Sequence, residues 1–134
     1  MLNRRHLRVK VLQSLYAYLQ SGNNDLVSGQ NELMHGIGQI YELFLYQLQL
    51  IGELHFQAIR QAEDNRSKKL PTEEDLHPNT RFIDNACLVR IAGSASLRKK
   101  CKDHSVIWAN DQDLVRKLLA NIQQQKYYHD YLET

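Results

Sequence analysis

The chain has 134 residues, with 17 basic against 15 acidic side chains, six glycines, two prolines and two cysteines. That length suits one domain with its own core, and the scarcity of proline and glycine excludes a turn-rich β-sandwich. Two cysteines, Cys87 and Cys101, exclude a disulfide framework and point to free thiols in a reducing compartment.

Good helix formers (Leu, Gln, Lys, Arg, Glu, Ala) dominate, so the expected class is all-α: a bundle of about four to five helices in a single domain spanning 1–134. The first helix is expected from Asn3 to Gln20, with Asn3 as its N-cap. Leu7, Val11, Leu15 and Tyr18 recur at helical spacing, and Ser21-Gly22-Asn23-Asn24 stops the helix. A very long second helix follows, from about Ser28 to Ala62. Leu33, Ile37, Ile40, Phe44, Leu48, Ile51, His55 and Ile59 make one stripe along it. Gly36, Gly38 and Gly52 weaken this helix by roughly 1 kcal/mol each, and their plainest use is close approach of a neighbouring helix. Residues 64–80 read as a loop, because charge runs, Pro71 and Pro78 interrupt any period. A third helix is expected over Thr80–Ala92, broken at Gly93-Ser94, with a short basic helix from Ala95 to Lys102. Ser105 to Trp108 has no clear class. A final helix is capped by Asn110 or Asp111, with Leu114, Leu118, Ile122, Tyr128 and Leu132 as its stripe.

No basic start followed by an apolar run marks a secretory leader. Ile37 to Leu54 is rich in apolar residues, but Gln39, Glu42, Gln47, Gln49 and Glu53 make it too polar to span a membrane. A cytoplasmic protein with no membrane partner is the expectation.

Charge is unevenly placed. Residues 1–20 carry Arg4, Arg5, Arg8 and Lys10 and no acid, whereas Ser21 to Ile59 carries only the acids Asp25, Glu32, Glu42 and Glu53. At about 100° per residue, Arg4, Arg5 and Arg8 share roughly a third of the first helix, on the side of Val11, Leu15 and Leu19. Lys10, Gln13, Ala17 and Gln20 form the polar side. Arginines continuing a core stripe cannot be buried unpaired, so the first turns are expected to present guanidinium groups outward. Arginine is unfavourable at a helix start, which favours a function such as phosphate binding, where the fork geometry and stacking of arginine suit RNA. A solvated basic helix start is the plain alternative.

The run Arg4-Arg5-His6-Leu7-Arg8, followed by Gln13-Ser14-Leu15-Tyr16, resembles the start of the NusB family of transcription antitermination factors. The resemblance covers about the first twenty residues well and the second helix loosely. It implies a NusB-like amino-terminal subdomain. It also implies that Arg4, Arg5 and Arg8 contact boxA-like single-stranded RNA, with His6, where the family often has arginine, and Lys10 beside them. Tyr16 matches the family's tyrosine, as a packing residue or as the edge of the RNA surface. The implied partners are a ribosomal protein of the NusE type and, indirectly, the elongating RNA polymerase. From Asp64 onward neither a Val-Ala-Ile-Asn-Glu-Ala-like helix nor a Phe-Val-Asn-Gly-like element occurs. The chain therefore reads as an extended variant or as the amino-terminal part of a longer protein.

Arg98, Lys99, Lys100 and Lys102 offer a second basic patch, or simply a solvated helix end. Cys101 and His104 with Cys87 lack the paired spacing and fourth ligand of a metal site, so no metal or cofactor is expected. His55 reads as a core-edge residue. Tyr127, Tyr128 and Tyr131 read as packing residues before base-stacking ones. No nucleophile elbow, phosphate loop or zinc-protease signature is present, and no enzyme is expected. The leading expectation is a NusB-type RNA-binding factor. The alternative is a helical protein-interaction module without RNA, and a homodimer is left open.

Overall fold

The structure is a computed structural model and describes residues 3–134. Among the described residues it holds seven α-helices, one 3-10 turn and no strand, which is more helices than the four to five expected. The chain forms two compact units, one ending at Phe44 and one spanning Leu45–Thr134, and the boundary falls inside the second helix.

The first unit holds α1 (Arg4–Gln20) and the first half of α2 (Leu26–Arg66). Asn3 caps α1 as expected, its side chain accepting from the His6 N–H at 2.9 Å. Gly22, at φ +65°, makes the left-handed stop. α2 overruns its expected bounds at both ends. It begins at Leu26, with Asp25 accepting from the Val27 N–H at 3.0 Å. At the far end, Glu63 to Arg66 hold no helix breaker, and an exposed charge run suits a solvated helix face.

The two helices meet where a small residue admits a side chain. A Cβ placed on Gly29 would lie 2.8 Å from Cδ2 of Tyr18. A Cβ on Gly36 would lie 3.9 Å from Nζ of Lys10, and one on Gly38 would meet no neighbouring element within 4 Å. The glycine that admits a ring is thus Gly29, which helix spacing alone did not single out. A paired test follows. Gly38→Ala is expected to raise stability by about 1 kcal/mol through helix propensity. Gly29→Ala gains the same propensity but must displace the Tyr18 ring, and overpacking of that kind costs about 1–3 kcal/mol, so its net effect is destabilising. Thermal unfolding followed by circular dichroism reads both.

The second unit holds the rest of α2, α3 (Glu73–Leu76), α4 (Ala86–Ala92), α5 (Ala95–Asp103), a 3-10 turn at Ala109–Asp111, α6 (Gln112–Gln123) and α7 (Lys126–Glu133). The stretch read as a loop thus includes the end of α2 and the one-turn α3. Thr72 caps α3 in a capping box with Asp75, and the Thr72 N–H bonded to Asp75 holds that half-buried carboxyl below its usual range. The expected helix over Thr80–Ala92 begins only at Ala86. The Asn85 side chain takes the N–H groups of Cys87 and Leu88 at 2.9 and 3.3 Å, and this local capping starts the helix there. The expected last helix is two helices, broken at Gln124 and Gln125 with no glycine or proline to mark the place. Beyond the break, α7 lays its tyrosines on the segment before α4. Tyr128 packs on Phe82 with ring centres 5.5 Å apart, and the Tyr131 hydroxyl accepts from Asn85 at 2.8 Å and donates to the Arg81 carbonyl at 3.2 Å.

Leu45, Cys101 and Val106 form the buried centre of one cluster, flanked by Tyr46 and Leu97. On α6 the buried residues are Val115 and Leu119, not the expected Leu114, which is 48% exposed. Polar groups explain the difference. Gln112 donates to Glu53 and to the Trp108 carbonyl, each at 3.0 Å, and accepts from the buried Gln57. Gln123 donates to Gln61 at 2.9 Å. Amides on the inner side of α6 are matched by α2, and they turn the helix. His55 is buried, with Nε2 donating to the Ile83 carbonyl at 2.8 Å, which places it in the packing as read. Cys87 is exposed and Cys101 is buried, and burial pushes the Cys101 thiol up. A thiol reagent at neutral pH is therefore expected to titrate one cysteine rapidly in the folded chain and the second only on unfolding. Two equally fast thiols would contradict this packing.

Candidate nucleic-acid interface

Helix α1 is the element to build from, because it carries the arginine cluster and has no buried residue. Its half-buried side chains are Leu7, Lys10, Ser14 and Tyr18. At about 100° per residue these four lie within about 80°, which defines the side turned to α2. This overturns part of the sequence reading. Val11, Leu15 and Leu19, taken as the core stripe, are 45%, 51% and 69% exposed. Lys10, taken as polar-side, stands on the α2 side near Gly36. The reason is on α2: Gly29 opens room for the Tyr18 ring, and that fit sets the rotation of α1. The Lys10 side chain lies along α2, with its ammonium in ordinary contact distance of the Gly36 position.

Arg4, Arg5 and Arg8 are all exposed. None has an ion-pair partner among the described residues. On the helix, Arg4 and Arg8 are about 40° apart and Arg5 lies about 60° beyond Arg8, so the three form one cluster. Free N–H groups of the first turn add to the attraction for an anion. His6 is exposed but about 160° from Arg8, so it stands apart from the cluster, and Lys10 stands apart as well. Tyr16 is 66% exposed. That removes it from the packing of its own unit and leaves its ring free on the side of Arg5, about 20° away around the axis and roughly 16 Å along it.

The second basic patch lies on α5 in the other unit. Arg98, Lys99, Lys100 and Lys102 are all exposed, and Arg98 reaches back to the Gly93 carbonyl at 3.5 Å. Lys100 and Lys102 occupy the last turn, where the helix dipole already favours a cation. Among the described residues no group of three or more His, Cys, Asp or Glu side chains is placed to hold a metal ion. The α7 tyrosines divide: Tyr127 is 62% exposed, while Tyr128 and Tyr131 are packed, the latter under the Arg81 guanidinium at 5.2 Å. No described helix is long and apolar enough to cross a membrane.

Comparison with family models, curated proteins and solved structures finds no match to this chain.

Proposed function

We propose that this chain is a non-catalytic RNA-binding factor of the NusB type, and that Arg4, Arg5 and Arg8 hold the backbone of boxA-like single-stranded RNA. The observation that carries the reading is the state of the three arginines: clustered, exposed and without ion-pair partners among the described residues, at a helix start where their charge opposes the helix dipole. Such a cluster is stabilised by a ligand anion, and single-stranded RNA supplies phosphates together with bases for an exposed ring. Tyr16 is the ring offered for stacking. In this reading the chain acts in antitermination in the cytoplasm with a ribosomal protein of the NusE type on the elongating polymerase.

The test is a salt titration of binding to a boxA-like RNA oligonucleotide by the whole chain and by its Arg4→Gln/Arg5→Gln/Arg8→Gln variant. Equal affinity and equal salt dependence of the two proteins would refute the reading.

A further inference from the structure

The arginine cluster is continuous with an apolar groove that RNA phosphates cannot cover. Between α1 and α2 lies a cavity of about 230 Å³ with an almost wholly apolar lining, including Val11, Leu15, Leu26 and Leu33. Its rim is unusually greasy for solvent: Leu12, Leu19 and Leu26 are 68%, 69% and 76% exposed. Exposed apolar surface of this extent marks a binding face, and helices of this length depend on tertiary cover for stability. By helix period, Arg4, Arg8, Leu15 and Leu19 fall within about 60° on α1, so the groove and the arginines share one flank.

The charges on that flank decide what covers it. Around α2, Glu32 is about 100° and Glu42 about 180° from Leu33, which lines the groove, so neither points into it. The Asp25 carboxylate is engaged with the start of α2, accepting from the Val27 N–H at 3.0 Å. The grooved flank is thus apolar with a purely cationic end. A second copy laid parallel on it would set cations against cations. We infer that the groove between α1 and α2 is the docking site for an amphipathic helix of another protein, with leucine-type residues at i, i+3, i+4 and i+7 and carboxylates in one terminal turn that meet Arg4 and Arg8. This is the helix-in-groove mode of recognition with charge setting direction and specificity. It goes beyond the RNA reading, and it makes RNA and the acidic end of the helix competitors for the same guanidinium groups.

The probe is a synthetic 14-residue helix with that leucine pattern and two glutamates in its last turn, titrated onto the full-length chain by fluorescence anisotropy. Expected are saturable binding, a loss of at least about tenfold when the glutamates are replaced by lysine, and a similar loss with Leu15→Gln or Leu19→Asp at unchanged helix content. Leu15→Gln is the gentler change, in case the charged variant unfolds. RNA affinity is expected to survive Leu15→Gln, which separates failure of the groove from failure of the RNA reading. Equal binding of the glutamate and lysine peptides, or binding insensitive to both leucine changes, would overturn the inference. So would sedimentation of the chain as a dimer that Leu15→Gln dissolves, because the occupant would then be a second copy.

Discussion

The Arg4→Gln/Arg5→Gln/Arg8→Gln variant is expected to lose about two decades of RNA affinity at 0.1 M salt. Each phosphate contact to a single strand contributes about 0.7 to the slope of log affinity against log salt, so removing three lowers the slope by about 2. If the two proteins are compared by extrapolation to 1 M salt, where counterion release vanishes, a slope difference of about 2 becomes about a hundredfold at 0.1 M. Arg→Lys at the same positions keeps the charge and is expected to retain most of the slope, while losing the planar fork that fits phosphate and stacks on bases. Tyr16→Ala is expected to weaken binding by about 1–3 kcal/mol with the slope unchanged, since stacking releases no counterions. Neutralising Arg98, Lys99 and Lys100 on α5 is the matched control for loss of charge at a distance in sequence. A slope that follows α5 rather than α1 would move the interface to the other patch.

Much of α1 is legible because its signals are local. Asn3 and Gly22 each act within their own turn, through a side-chain cap and a left-handed backbone, and both stand where the sequence puts them. The rotation of α1 is not local. It is set by where the Tyr18 ring finds room on α2, and that depends on Gly29, about a dozen residues further along the chain. Reading only hydrophobic period assigns Leu15 and Leu19 to the core, and they are exposed. The consequence reaches function. The same rotation leaves the leucines beside the arginines in the open, whereas Lys10 and His6 stand apart from the cluster by helix period alone. The arginines themselves were legible from sequence because an acid-free basic start is a statement about composition. The groove was not, because it is made by two helices.

The same limit explains α6 and yields a sharp test of the second unit. Leu114→Ala and Leu119→Ala remove the same atoms from the same helix, with the same change in propensity. Period assigned the core to Leu114, Leu118 and Ile122, but inward-facing Gln112 and Gln123, paired to Glu53, Gln57 and Gln61, rotate the buried face by about 80° onto Val115 and Leu119. Leu119 is 3% exposed and Leu114 is 48% exposed. Leu119→Ala is therefore expected to cost about 2–5 kcal/mol, the transfer loss plus an unfilled cavity. Leu114→Ala is expected to cost about 1 kcal/mol or less, because its side chain is half in water and leaves no cavity. Against a total of about 5–15 kcal/mol for a domain, the first change removes a large share of the stability and the second is minor. Urea unfolding with matched m-values reads the difference directly. The reverse order would mean that apolar period, and not the amide pairs to α2, sets the rotation of α6. The double variant adding Gln112→Ala locates the cause. If the amides hold the rotation, removing Gln112 leaves Gln57 and Glu53 without their partner at a cost of about 1–3 kcal/mol, and it narrows the gap between the two leucines by letting α6 turn toward its apolar stripe.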